Sequence, residues 1–343
     1  MLQSKSHERQ HDDQGRDAAV SSEAGLFPEA DANLGDLRKG DKLDQVRARV
    51  DALIAIAAEH GAPMRIEDVM QLLPFRAFQN LSEFEKFLQE DEMLKTHVNL
   101  VDGFLVEHGR LDLLTSQTEL SRLTSRRIAL AHNFVDRLVL KCPWVLVAGI
   151  SGSTVYGNAK PEDDLDFFLI VTRRRMWITL LVAFLLGRID RKLGHSPTYC
   201  FNRTLEDYES IRDFGALKEP LVAREALTML VLRGESYYVS LLSTSKWMER
   251  YFPVLYEARR KTREHVKGNE SISRGGPQWS LVNGLAFMIV ATYLVVTGFA
   301  RNARLARQGR LGAQFRTVVR LGFCAYESNK YDGLRNAYRD VIR

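Results

Sequence analysis

Cysteine is scarce: Cys142, Cys200 and Cys324 are the only three in 343 residues, far apart and without a CxxC pair. That excludes a disulfide framework, gives no cysteine-based zinc signature and points to a reducing compartment. Large apolar side chains are scarce in residues 1–40, where Asp, Glu, Arg, Gln, Ser and Ala dominate. Such a stretch buries too little to offset the ordering of its backbone, so 1–40 is expected to be a disordered tail. The same N-terminus lacks the apolar core of a secretory signal, which favours the cytoplasm. No internal repeat is present. Two further absences lie near the C-terminus: residues 275–300 carry no charge, and no acidic residue stands between Glu270 and Glu327.

What is present suffices for a folded protein. An apolar fraction of 45% supports buried cores, and 343 residues accommodate two or three units. The net charge of +5 favours anionic partners, whether phosphates, nucleic acid or an acidic membrane surface, without selecting among them.

From Leu43 onward Val46, Val50, Leu53, Ile54 and Ala57 recur at helical spacing, and Gly61 closes that helix. A second helix is expected over 66–73, stopped by Pro74, and a third over 81–88 with Ser82 near its start. The run VNLVDGFLV then reads as a β-hairpin, because Asp102-Gly103 accepts the positive φ angles of a tight turn. Three helices and a hairpin over 43–110 make a winged-helix-like module. Nucleic acid is a conceivable partner, yet the third helix is acidic where a groove-reading helix should be basic, so a packing or partner-binding role is preferred.

Residues 120–141 form a long amphipathic helix ended by Pro143, after which WVLVAGI reads as a buried strand. A second strand covers 165–171, a helix follows at MWITLLVAFLLG, and TYCFNRT at 198–204 is a third strand. Nearly everything after Glu206 reads as helix.

The stretch SGSTVYGNAKPEDDLDFFLIV, from Ser151, carries the chemistry. A strand that ends in Ser151-Gly152-Ser153 and turns into a short helix offers backbone N–H groups, a hydroxyl and a helix dipole to polyphosphate oxygens. Asp164 and Asp166 flank Leu165, so on a strand both carboxylates point to one face. Such a pair can hold two divalent cations about 3.5–4 Å apart, and Mg²⁺, which favours hard oxygen ligands, is the expected cofactor. The alternative for the same residues is ordinary turn chemistry.

The order Gly152-Ser153, Gly157, then Asp163-Asp164-Leu165-Asp166 before an apolar strand resembles the signature of the DNA polymerase β-like nucleotidyltransferase superfamily. The resemblance implies an α/β (α+β) nucleotidyltransferase fold with a mixed sheet over 120–215, followed by a helical region, 216–343. It implies Gly152 and Ser153 as the nucleotide phosphate-binding pair and Asp164 and Asp166 as metal ligands and catalytic carboxylates. Asp163 stands where many members carry Ser and reads as a turn residue or weak outer group. The pattern from EPLVAREALTMLVLRG onward resembles, more loosely, bacterial members with a helical C-terminal region. Many members add a third carboxylate on a later strand; here Cys200 and Asn202 occupy the alternating positions, and Asn202 is at most a weak ligand, with Glu206 and Asp207 as possible substitutes. The implied reaction is Mg²⁺-dependent transfer of a nucleoside monophosphate from a nucleoside triphosphate to a protein, nucleic-acid or small-molecule acceptor, releasing pyrophosphate. The rivals are a catalytically silent nucleotide-binding sensor and a winged-helix nucleic-acid-binding regulator.

Other residues rank lower. Lys160 and Arg173-Arg174-Arg175 are weak candidates for phosphate contacts, a surface place beyond a strand end being the plainer reading. His195 stands alone before the third strand and reads as structural or exposed. Residues 281–300 are long enough for a membrane span and are followed by the basic run RNARLARQGR, yet a fully buried helix would read the same way and is preferred; membrane association stays open. The arginines between Glu270 and Glu327 form either an anion-binding stripe or a solvated helix face.

Overall fold

A computed structural model describes residues 39–115, 117–194, 197–216, 218–262, 278–309 and 315–342. Apart from Lys39 and Gly40, which open the first helix, the polar tail lies outside the described residues, as does His195. The fold is a mixed α/β arrangement with twelve α-helices and nine strands among the described residues.

The first unit runs α1 (Lys39–Glu59), β1 (Met64–Arg65), α2 (Ile66–Gln71), α3 (Leu81–Glu90), β2 (Val98–Val101) and β3 (Phe104–Glu107). Its three strands pair antiparallel in the order β1-β3-β2. The hairpin turn falls where the sequence places it, with Asp102 at φ 49° and Gly103 at φ 78°. The third helix starts differently. Its cap is Asn80 and not Ser82: the Asn80 Oδ1 accepts the Glu83 N–H, and the Glu83 carboxylate accepts the Gln79 N–H in return. Helix α3 turns Phe84 and Leu88 into the core and leaves Glu83, Glu85 and Glu90 against a single Lys86 elsewhere.

The second unit is built on a six-stranded sheet. After α4 (Gln117–Lys141) come β4 (Val145–Ser151), β5 (Leu165–Val171), α5 (Met176–Lys192) and β6 (Tyr199–Glu206). Then follow α6 (Asp207–Ala216), α7 (Pro220–Thr228), β7 (Leu230–Arg233), α8 (Glu235–Thr244), α9 (Trp247–Tyr251), α10 (Pro253–Thr262) and α11 (Gln278–Arg307). The chain ends with β8 (Phe315–Arg320), β9 (Phe323–Ser328) and α12 (Asp332–Val341). The sheet order is β7-β4-β5-β6-β9-β8, with β5 and β6 parallel and every other neighbouring pair antiparallel.

Three of these strands lie where the sequence reads as helix. Leu230-Val231-Leu232 is too short an apolar run for its period to tell strand from helix. Two neighbours decide it: Met229 leaves α7 with ψ 130°, and Gly234, at φ 76°, lies so close to β4 that a Cβ there would meet the Leu146 carbonyl oxygen at 1.8 Å. Strands β8 and β9 pair with each other as a hairpin before β9 docks on β6, so the C-terminal region completes the sheet and does not merely follow it.

Strand β5 is covered on both faces, which is why it reads as an unbroken apolar run. Leu165, Phe167, Leu169 and Val171 pack with α4, α5 and α11 on one side. Phe168 and Ile170, together with the residue two before Phe168, Asp166, face the other side, where α7, α8 and the N-terminal unit share a second core. Helix α11 is not the buried helix the sequence favours. Asn283, Ala286, Val290 and Leu294 are inside, but only 28% of its most apolar window is buried.

Candidate active site

The acid pair sits at the start of β5, beside the turn that ends β4. Ser151 and Asp166 are partners across the antiparallel β4–β5 ladder, so the next residue, Gly152, lies against the Asp166 carboxylate. Gly152 has φ 73°, a conformation that L side chains rarely adopt, and a Cβ here would stand 2.9 Å from Asp166 Oδ2. Glycine is therefore required twice over, for the turn and for the carboxylate. The short helix expected after β4 is a single 3-10 turn, Gly152–Thr154, which offers turn N–H groups and the Ser153 hydroxyl to phosphate oxygens but little of a longer helix's dipole.

Beyond the turn, Asp163 Oδ2 accepts the Lys160 N–H at 2.9 Å, closing a loop as a turn residue would. The loop is held from below by Arg127 of α4, only 2% exposed, whose Nη2 donates to the carbonyl oxygens of Lys160, Pro161 and Asp163 at 2.6, 3.3 and 2.8 Å. One buried guanidinium thus sets the backbone immediately before Asp164 and faces Glu162, Asp163 and Asp164 of the loop and Asp166 of β5. No local pattern in the sequence indicates this, since Arg127 and Asp163 are 36 residues apart.

The electrostatics are dominated by the burial of carboxylates that lie near one another. Burial pushes Asp166 up to about 7, and the charges of Asp164 and Glu225 push in the same direction; hydrogen bonds from Cys200 and Asn202 only partly oppose them. Asp164 is also raised, chiefly by burial, against the attraction of Arg301 and a hydrogen bond from Thr198. Cys200 pairs with Asp166 across the parallel β5–β6 ladder, and its one thiol proton is shared between the Asp166 carboxylate and Asn202 Oδ1, the latter at 3.0 Å. Burial and the two aspartates hold that thiol protonated. The oxygen of Asn202 is therefore engaged, and this residue serves Asp166 as a donor.

The carboxylate that joins the pair is Glu225, on α7. Its Oε1 accepts from the Tyr156 hydroxyl at 2.8 Å and its carboxylate from the Gly152 N–H, while burial raises its affinity for a proton. Arg224 lies over the Tyr156 ring at 4.3 Å and also bonds the Tyr338 hydroxyl. Tyr331, half-exposed, lies within electrostatic reach of Asp166 and Glu225.

The substitutes read from the sequence lie elsewhere. Glu206 pairs with Val171 at the other end of the ladder from Asp166, where it accepts backbone N–H groups of Arg174, Arg175 and Met176 and caps α5. Asp207 follows it. Arg173 and Arg174 share that distant end, and Arg175 is buried between the rings of Trp144 and Trp279 at 4.5 and 5.1 Å. Lys160 is at the loop but its residue is exposed. Besides Arg127, the basic group that faces Asp164 is Arg301, from the last turns of α11.

Among the described residues no group of three or more His, Cys, Asp or Glu side chains is gathered to hold a metal. The donor set suits magnesium nevertheless, because that ion takes one or two protein carboxylates and completes its shell with water and substrate phosphates. No protein-family model, curated protein or solved structure matches the chain.

Proposed function

We propose that the chain is a Mg²⁺-dependent nucleotidyltransferase of the DNA polymerase β-like kind, moving a nucleoside monophosphate from a nucleoside triphosphate to an acceptor oxygen. One observation carries the reading: the Asp166 carboxylate lies against the Gly152 turn, with Asp164 beside it, and both acids are raised in pKa, chiefly by burial and, for Asp166, also by the charges of Asp164 and Glu225. Ser153 and the turn amides after Gly152, whose own N–H is taken by Glu225, bind the triphosphate tail, and Arg301, facing Asp164, meets its charge. Asp164 and Asp166 hold the metal, which supplies charge neutralisation at the phosphates and lowers the pKa of the acceptor hydroxyl. The acceptor oxygen forms a bond to the α-phosphorus, the bond to the bridging oxygen breaks, and pyrophosphate leaves. Because Cys200 and Asn202 cannot take up the proton and Glu225 is engaged by Tyr156 and Gly152, the acceptor's proton passes to solvent. Free thiols at all three cysteines fit a cytoplasmic setting.

Full-length protein incubated with each nucleoside triphosphate, Mg²⁺ and a pool of protein, nucleic-acid and small-molecule acceptors should release pyrophosphate. Asp164→Asn and Asp166→Asn should each reduce that rate by about 1,000-fold or more, in line with losing a group that positions transition-state charge. The side chains at the third position favour one rival, a silent nucleotide sensor. It wins if the protein binds nucleotide and Mg²⁺ in an Asp166-dependent way yet no acceptor yields pyrophosphate.

The N-terminal unit has the helix-strand-helix-helix-strand-strand order of a winged helix, which supports that reading of its topology. Three glutamates against one lysine on α3, and the insertion of Phe84 and Leu88 into the core, favour a packing module over a groove reader.

A further inference from the structure

Helix α11 presents a long apolar face that nothing among the described residues covers. Leu281, Leu285, Met288, Ile289, Val296 and Phe299 lie along one side, with Leu281, Leu285 and Phe299 exposed by 79, 68 and 77%. This exceeds the scattered exposure normal on a soluble surface. On the neighbouring α5, Leu185, Ile189 and Leu193 form a second exposed stripe at four-residue spacing. The two helices run parallel, since Trp177 meets Phe287 and Phe184 meets Tyr293.

By length and composition, Trp279–Arg307 could cross a bilayer. Its attachments argue for another geometry. At one end the Asn283 Oδ1 accepts the N–H groups of Trp177 and Ile178. In the middle Tyr293 packs on Phe184, and near the other end Asn302 exchanges two hydrogen bonds with Phe315 of β8. A helix bound at its start and middle to α5 and near its end to β8 cannot enter the hydrocarbon without taking the sheet and its polar edges with it. Charge agrees. Arg174 reaches Ser280 at the start of α11, and Arg301, Arg304 and Arg307 stand at its end. A span carries its basic excess on one side, whereas basic residues at both ends suit a helix lying flat among headgroups. Arg188, Arg191 and Lys192 on α5 add to the rim, and its one acid, Asp190, is buried in a pair with Arg137.

We propose that the apolar face of α11, with the flanking stripe of α5, docks in the plane of an anionic phospholipid bilayer without crossing it. A second copy of the chain fits the face less well. In an antiparallel two-fold pair the arginines at the end of one helix would meet the start of the other, which has no acidic residue in its first turn. Docking of this face is independent of the chemistry proposed for the acid pair. It has a bearing on it all the same: Arg301 both ends the apolar face and faces Asp164, so docking brings the acid cluster to the membrane edge.

The test uses the full-length protein and flotation with vesicles of phosphatidylcholine alone or with about 30% phosphatidylglycerol. Binding to the anionic vesicles should exceed binding to neutral ones by at least about tenfold, weaken with salt, and be released by alkaline carbonate. Leu285→Glu/Ile289→Glu should abolish it, and Arg304→Ala/Arg307→Ala should weaken it by about tenfold or more, given roughly 1 kcal/mol for each basic residue near an anionic surface. Circular-dichroism melts of both variants should match the parent, since the altered side chains lie on the outer face. Resistance to carbonate would overturn the proposal in favour of a span. Failure to float with either vesicle would overturn it too, and a dimer in solution dispersed by Leu285→Glu/Ile289→Glu would then identify a second copy as the occupant.

Discussion

The two ends of the β5–β6 ladder carry buried carboxylates in opposite circumstances. At the Val171–Glu206 end, Glu206 accepts backbone N–H groups at the start of α5, whose own N-cap residue, Arg175, makes no side-chain cap. Asn283 completes that cap from α11, and the nearby Arg175 charge is stacked between two tryptophans. The acid there finds its partners inside the fold, and its role is to hold elements together. At the Leu165–Tyr199 end, Asp166 faces two other carboxylates and receives only a thiol and an amide. Burial raises the pKa of both acids, so burial alone does not mark a functional one. The difference lies in their company: backbone N–H groups around Glu206, other carboxylates around Asp166.

The largest expected difference between the ends is in stability. From the ordinary carboxylate range up to about 7, the folded protein keeps a proton on Asp166 that the unfolded chain has lost. Metal-free stability should therefore fall as pH rises through that window. Asp166→Asn removes the penalty and should raise metal-free stability at pH 8 by on the order of 2 kcal/mol, one pKa unit being worth about 1.4 kcal/mol. Glu206→Ala leaves several N–H groups at a helix start unpaired and should lower stability by about 2 kcal/mol. Denaturant melts of both variants, with and without Mg²⁺, measure the contrast. Mg²⁺ should stabilise the parent at pH 8 and leave Asp166→Asn unmoved. If both substitutions destabilise alike, Asp166 is as structural as Glu206 and the contrast fails.

A smaller effect is expected at Gly152, which belongs to the Asp166 end alone. Gly152→Ala forces a Cβ into a left-handed conformation, at about 1–2 kcal/mol, and to within 2.9 Å of Asp166 Oδ2. Its melting curve should shift by that amount, while nucleotide and Mg²⁺ affinity, measured by calorimetry, fall together by about tenfold or more. A loss of stability with intact affinity would separate the turn from the carboxylate.

How far the sequence reveals this site depends on how local each contribution is. Gly152, Ser153, Asp164 and Asp166 stand within one strand-turn-strand unit, where alternation and spacing disclose which face each takes. The hairpin at Asp102-Gly103 and the bounds of β5 are legible for the same reason. Arg127 and Glu225 are not, because each comes from a helix that reads as ordinary amphipathic or apolar sequence and reaches the loop only through tertiary packing; Arg301 is legible only as one member of a run of arginines that could bind anions. Strand β7 escapes because so short a run has no period, and β8 and β9 because a hairpin after a long helix gives no sign that it will extend a sheet far behind it. Glu206 shows the converse: nearness in sequence to Asn202 suggests a ligand, but strand rise of about 3.3 Å per residue carries it well away from Asp166.

The smallest effect should come from the group that links the turn to α7. Tyr156 donates to Glu225 at 2.8 Å, and Glu225 in turn accepts the Gly152 N–H, so the hydroxyl acts on the phosphate turn at one remove. Tyr156→Phe keeps the ring under Arg224 and removes one hydrogen bond to a charged acceptor, at a cost of about 1–2 kcal/mol. The bond lowers the pKa of Glu225 against burial, so its loss should raise that pKa further. The acidic limb of the pH–rate profile for pyrophosphate release should then move to higher pH, with KM for the nucleotide rising several-fold along that limb. A purely structural tyrosine would shift the melting curve and leave the pH profile where it was. If that is the outcome, Glu225 belongs with Glu206 as a carboxylate the fold has already satisfied, and the open charge at this end is confined to Asp164 and Asp166.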